Sequence, residues 1–249
     1  MLAGVDRLCY CITDASKKLL TLRVYQLDIN SSLSEMLPSI LAQDNWLGLT
    51  FRQTTLICTT DLCQLIPSEN FHESVDYFTN IKTPVLQQSQ PLYFAQQMAV
   101  FALPLHTFKT LNVHFKQNEI QYNGAVLLNY WNNCLVNKDS EKAVFAHIQH
   151  QTILLACFEK QNFVGFQSYK FYASSDLLYW ILYFYQQHNL SPDSQPLHLS
   201  GELVADSEIY KLLFKYLRHV HFLAANERLI FSDTFANLPA HFFADLLAG

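Results

Sequence analysis

The sequence predicts an α/β chain of two lobes, each a mixed β-sheet flanked by helices. Three observations carry that expectation. Segments AVFAHI (143–148), TILLACF (152–158) and FVGFQSYKFY (163–172) are apolar runs rich in β-branched and aromatic residues, joined by short polar breaks, and they read as three consecutive strands. Helical stripes and short strands then alternate, so the order after residue 143 is β-β-β-α-β-α-β. The first half opens in a similar way, with a hairpin, a helix, a strand and a helix, although no repeat is visible at the level of residues.

Taken in order, LCYCI (8–12) is a strand, TDASKK is a break and LLTLRVYQL (19–27) is the return strand. Leu20, Leu22 and Val24 alternate with Thr21, Arg23 and Tyr25, which predicts a hairpin with one buried face. Leu33, Met36, Leu37, Ile40 and Leu41 make a helical stripe, with Ser32 and Glu35 as its expected capping box. Pro38 predicts a kink or a later start. TTLICTT (54–60) is β-branched and predicts a strand, and 70–78 is expected to be helical. The stretch 82–137 is less regular, with strands expected near 92–94 and 99–103 and helices near 105–116 and 125–135.

In the second half a helix is expected at 175–187, capped by Ser174 or Ser175 with Asp176 in its first turn. LHLS (197–200) is a strand, and a helix over 206–217 carries the stripe Ile209, Leu212, Leu213 and Tyr216. HVHFL (219–223) is a further strand, and a terminal helix is expected at 238–247. A meander followed by alternating helices and strands is the ribonuclease H-like layout. The expected lobes are 1–138, with an insertion near 82–137, and 139–249.

Composition narrows the function. Half of the 249 residues are hydrophobic and 15% are charged, against about 25% charged in an average globular chain, so the core is large. Net charge is −5 and the Lys and Arg residues form no dense run, which argues against nucleic acid as a partner. The longest apolar run, 177–185, has nine residues, against the roughly 18 that suggest a membrane span. The N-terminal residues do not read as a signal segment. Six cysteines lie scattered without CxxC spacing, which suits reduced thiols and a cytoplasmic location. The chain has six glycines, where average usage would give roughly 17. Phosphate-cradling loops depend on glycine for close backbone approach, so this deficit counts against nucleotide chemistry.

FAHIQHQTILLACFEKQNFVGFQSYKFYASSDLLYWILYFYQQ and PLHLSGELVADSEIYKLLFKYLRHVHF carry a resemblance that spans almost the whole chain. They resemble a family of uncharacterised bacterial proteins, a domain of unknown function with an actin-like ATPase fold. More distantly, the layout is similar to actin-like assembly proteins of pili, secretion systems and divisomes. The resemblance implies two ribonuclease H-like lobes with a cleft between them and no established activity.

Active members of the actin-like superfamily carry an Asp-Ile-Gly-Gly-Gly-Thr type of turn. Laid on it, His147 stands where the aspartate would be, Gln149, His150 and Gln151 replace the glycines, and Thr152 is kept. A neutral imidazole does not replace a carboxylate toward Mg²⁺, which prefers oxygen ligands, and side chains at 149–151 obstruct the close approach of backbone amides to phosphate. In the first lobe the resemblance points to ITDASKKL (12–19), where Asp14 stands in for the aspartate with no glycine after it; Asp14 and Ser16 also suit a plain hairpin turn. The adenosine-side motif falls on LSGEL (199–203), with Ser200, Gly201 kept and Glu202 in place of a second glycine. Asp14, His147, Gln149, Thr152, Ser200, Gly201 and Glu202 are therefore the residues of an expected vestigial cleft.

Other chemistries fit less well. His147 and His150 would need a third ligand such as His198 to hold zinc, and His219 and His221 read as a strand pair, so no metal site is expected. No Gly-x-Ser-x-Gly elbow exists for a Ser/His/Asp hydrolase. The aromatic helix LLYWILYFY reads first as core, and as an interface only where aromatics survive on its outer face. Two functions are expected to compete. One is a non-enzymatic scaffold that binds a protein partner or itself, through an aromatic patch expected in 82–137, with no catalytic residue and no cofactor. The other is an ATPase or small-molecule kinase using Mg·ATP through unusual loops.

Overall fold

The computed structural model describes residues 1–4, 6–27, 33–115, 119–135, 142–224, 229–235 and 237–248. Ser32 and the expected lobe boundary at 138/139 lie outside the described residues. The chain divides into two compact units, Met1–Val126 and Leu127–Ala248.

In the first unit the elements are β1 (Leu2–Ala3), β2 (Arg7–Thr13), β3 (Leu19–Gln26), α1 (Leu33–Gln43), β4 (Leu56–Cys58), β5 (Cys63–Pro67), β6 (Val85–Leu92), β7 (Gln97–Pro104), α2 (Leu105–His114), β8 (Ile120–Tyr122) and the start of α3 (Asn123–Cys134). Five strands form one mixed sheet in the order β3-β2-β1-β4-β8, antiparallel through β3-β2-β1 and parallel through β1-β4-β8. Between β4 and β8 the chain builds a separate antiparallel sheet, β5-β7-β6.

The expected hairpin forms, but Leu20 and Val24 are exposed. Leu19 is buried instead, and Thr21, Leu22 and Tyr25 are half-buried, so the burial does not follow the expected alternation. Pro38 is accommodated inside α1, which buries Leu33, Leu37 and Ile40. The helix expected over 70–78 is absent. Side chains there hold the backbone in turns instead, with Tyr77 N–H donating to Gln87 Oε1, Gln87 Nε2 donating to Val75 O and Phe78 N–H donating to Asp76 Oδ1. Such side-chain to backbone bonds compete with a helical ladder. The strand expected near 92–94 ends at Leu92, and residues 93–95 form a single 3-10 turn.

The second unit follows the sequence closely: β9 (Lys142–Gln149), β10 (Thr152–Glu159), β11 (Asn162–Lys170), α4 (Ser174–Gln187), β12 (Leu197–Gly201), α5 (Glu208–Tyr216), β13 (Val220–Phe222) and α6 (Ala244–Leu247). The sheet order is β11-β10-β9-β12-β13, again antiparallel through the meander and parallel through β9-β12-β13. Counted along the chain, both sheets have the order 3-2-1-4-5, so the duplication invisible in the residues is present in the topology. Both are mixed sheets flanked by helices, in the ribonuclease H-like manner.

β9 is buried at every residue from Ala143 to Gln149, which explains why it reads as an unbroken apolar run. α4 buries Leu177, Ile181, Phe184 and Tyr185, a helical stripe in which each side chain contributes about 1.5–3 kcal/mol. Its N-cap is Ala173 rather than a serine, because Asp176 Oδ2 already accepts the Tyr172 and Ala173 amides at 3.0 and 3.1 Å. The expected terminal helix is shorter than its pattern suggests, a 3-10 turn over Ala240–Phe243 followed by α6. Among the described residues no helix is long and apolar enough to cross a membrane.

Candidate functional site

The tip of HIQHQT is tighter than a phosphate loop. β9 continues to Gln149 and β10 starts at Thr152, which pairs with Gln149, so only His150 and Gln151 remain to turn the chain. His150 has φ +50°, the left-handed region that favours glycine. His147 is not in the turn at all but inside the sheet, fully buried.

β12 pairs in parallel with β9, so Ser200 lies opposite His147 and Gly201 opposite Ile148. Gly201 has φ +91°, and a Cβ built there would stand 1.9 Å from Ile148 O. The same carbonyl accepts the Glu202 amide at 2.8 Å. Gly201 is therefore required by a backbone contact within the sheet, whatever else lies nearby. The exposed Glu202 carboxylate faces the His150 amide across a long 3.4 Å contact, so a side-chain anion of the chain stands at the hairpin amide. Gln149 is buried, and Thr152 is half-buried at the start of β10.

Beneath this rim is a polar array that the sequence does not announce. His147 Nδ1 is 3.1 Å from Ser200 Oγ, and Ser200 Oγ donates to Ala146 O at 3.1 Å. His147 Nε2 is 3.4 Å from Asp245 Oδ2. With the Ser200 proton committed to Ala146 O, Nδ1 is the donor to Ser200. The Nε2–Oδ2 approach is within ion-pair distance but is not a hydrogen bond. His147, Ser200 and Asp245 are each 0% exposed. Asp245 was missed because it is 98 residues from His147 in sequence and sits in a short α6 whose apolar neighbours dominate its pattern. The only hint available was a lone carboxylate in the apolar run FFADLLA.

These three residues are the composition of a hydrolytic triad, but the arrangement does not serve one. A nucleophile must be reachable and its base must be free to take the proton, whereas this hydroxyl is enclosed and bonded to a backbone carbonyl. The nearby His241 Nε2 bonds Leu203 O at 2.9 Å, which fastens the terminal segment to the chain just beyond β12. Among the described residues no group of three His, Cys, Asp or Glu side chains is placed to hold a metal ion. His150 is at the hairpin tip and His147 in the core, so they do not converge. His198 and His221 are neighbours in register on β12 and β13, with ring centroids 5.9 Å apart.

Asp14 belongs to the first unit. Its Oδ1 accepts the Ser16 amide, the Ser16 hydroxyl and the Lys18 amide at 2.8, 2.7 and 3.0 Å. The Ser16 hydroxyl, then the Lys18 amide, hold its carboxyl below the usual aspartate range despite some desolvation. This turn joins β2 to β3. The place that corresponds topologically to HIQHQT is the connection between β1 and β2, because β1 precedes the strand with which the sequence pattern begins. Gly4 and Asp6 belong to that connection, and Gly4 N–H donates to Arg7 O at 2.8 Å.

The model of the family described as protein of unknown function, DUF3822, matches residues 1–220. No curated protein matches the chain. Among solved structures, the chain is similar to a Bacteroides thetaiotaomicron protein with an actin-like ATPase fold and unknown function, with a TM-score of 0.83, 18% identity, and coverage of 100% of this chain and 94% of that one. It is also similar to a chain of the PilM–PilN type IV pilus biogenesis complex, with a TM-score of 0.68, 12% identity, and coverage of 99% of this chain and 95% of that one. Two sheets of order 3-2-1-4-5 in tandem fit these likenesses, and the fold is actin-like. The chain belongs to the DUF3822 family.

Proposed function

We propose that this protein is a non-enzymatic, actin-like interaction module whose nucleotide turns no longer hold a nucleotide. The observation that carries the reading is the chemistry at the end of β9 and β12. Where an active member would present an aspartate to Mg²⁺ and glycine amides to phosphate, this chain has a buried His147 paired to Asp245, a two-residue turn with side chains, and the Glu202 carboxylate near the His150 amide. An internal anion at that amide repels a phosphate. The similar pilus-biogenesis chain was solved in a protein complex, which supports a protein partner here by analogy of fold. The six cysteines are free thiols, in keeping with a cytoplasmic protein, and the net charge of −5 argues against nucleic acid as a partner.

The test is isothermal calorimetry of the full chain with ATP and ADP, with and without Mg²⁺. The expected result is no saturable binding up to millimolar nucleotide. Micromolar affinity for Mg·ATP that falls on His150→Glu, a charge placed at the hairpin tip, establishes instead the ATPase or kinase reading.

A further inference from the structure

Among the described residues, the longest sheet edge in the second unit is β11. It ends the sheet order, runs for nine residues, NFVGFQSYK, and carries one charge, at its last position, Lys170. Natural edges are usually blunted by shortness, proline, inward charge or a bulge. β13 has three residues and β3 has Arg23 in its middle. β11 has a register shift opposite Cys157 and Phe158, which leaves 165–169 regular.

An aromatic shelf stands along this edge. Tyr169 of β11 stacks on Trp180 of α4, with ring centroids 4.3 Å apart and planes 3° apart, and Trp180 Nε1 donates to Lys170 O at 2.9 Å. Tyr179 and Tyr183 extend the shelf along the helix at 5.9 Å. Tyr179 is 57% exposed and Tyr172, just past the strand, 76%. α4 has a single charged residue, Asp176, in its first turn.

We propose that β11 with this shelf is a self-association face, on which β11 of a second copy pairs antiparallel. The proposal deepens the interaction-module reading, on which it rests, by naming the face and the partner. Backbone donors and acceptors along an open edge are satisfied by a strand. The chain's net charge is −5, so copies repel through most faces, and a face nearly free of charge is complementary to itself. A two-fold axis perpendicular to the sheet keeps both helices on one side of the joined sheet. The two Tyr179–Tyr183 shelves then adjoin, and tyrosine and tryptophan are the residues that such contacts favour.

Sedimentation equilibrium of the full chain, over a range of concentrations, tests this. The expected species is a dimer of twice the 28.8 kDa chain mass. Ser168→Lys in the regular edge and Tyr179→Glu on the shelf each weaken it at least tenfold, and Thr21→Lys on β3 leaves it unchanged. Circular dichroism melts check that each variant folds. Independently, wild-type amides over 165–170 gain hydrogen-exchange protection as concentration rises. A monomer at every concentration, a dimer indifferent to Ser168→Lys and Tyr179→Glu, or a dimer broken by Thr21→Lys overturns the proposal. A monomer that binds no nucleotide overturns β11 pairing alone, and a β11 dimer that binds Mg·ATP overturns the interaction-module reading alone.

Discussion

The two five-stranded sheets share one strand order and solve the same turns differently. Between the second and third strands, the first unit uses the turn 14–18, held by the Asp14 side chain with Lys17 at φ +67°. The second unit makes the equivalent turn with Lys160 and Gln161 alone, both at positive φ. After the fourth strand the second unit turns at Gly201, whereas the first runs into the inserted sheet β5-β7-β6. The buried polar groups differ as well. In the first unit Asp44 accepts the hydroxyls of Tyr10, at 2.6 Å, and Tyr25, and takes the Trp46 amide at 2.8 Å. In the second, a histidine and a carboxylate are enclosed together. A common topology therefore constrains the strand order and leaves each unit to satisfy its polar groups locally.

Three perturbations separate these arrangements. The largest effect is expected at Gly201. Gly201→Ala combines overpacking against Ile148 O with a left-handed backbone, together about 4 kcal/mol, so the second unit should lose cooperative unfolding in a urea titration. An unchanged midpoint breaks the claim that this glycine is structural.

Next is the enclosed pair. Asp245→Leu leaves the His147 imidazole buried against an apolar side chain and should cost about 3 kcal/mol, while His147→Leu combined with Asp245→Leu should recover much of the loss, since one orphaned partner is worse than none. Chemical denaturation of the single and double variants measures the coupling; additive losses would show that the two residues do not act as a pair.

The smallest effect is expected in the first unit, where Asp44→Ala removes the acceptor of two tyrosines and should cost about 2 kcal/mol. Burial pushes the Asp44 carboxyl up, but the Tyr10, Tyr25 and Trp46 bonds outweigh it and leave it below 3.8. A depressed acid stabilises the fold above its unfolded value and loses that stabilisation as pH falls through the lowered one. The wild type should thus lose stability below about pH 3.8 more steeply than Asp44→Ala. Equal slopes in denaturation series across that range would remove Asp44 from the acid response.

The second unit was more legible than the first for a physical reason. Its β9 and β10 are buried almost throughout, so they read as apolar runs bounded by short polar turns. The first unit spends three strands on an inserted sheet, and its central β1 has two residues, too few to show any period, so the sequence pattern places the first turn at 12–19 rather than after β1. Within 82–137, Tyr93 is 85% exposed, and the stacked aromatic rings Tyr169, Trp180, Tyr179 and Tyr183 stand on β11 and α4. One covered face of α4 accounts for only part of its apolar run.

By itself the sequence determined the class of the fold, the β-β-β-α-β-α-β order of the second unit and the absence of a glycine-rich turn at 147–152. These depend on local periodicity and on residue type, which neighbours in the chain are enough to reveal. Only the tertiary structure decided that His147 lies inside the sheet, that Ser200 stands opposite it and that Asp245 closes the array. It also decided that Gly201 answers to Ile148 O. Those facts follow from strand register and from the return of the terminal segment over β12, contacts between residues tens of positions apart, for which the chain carries no local signal.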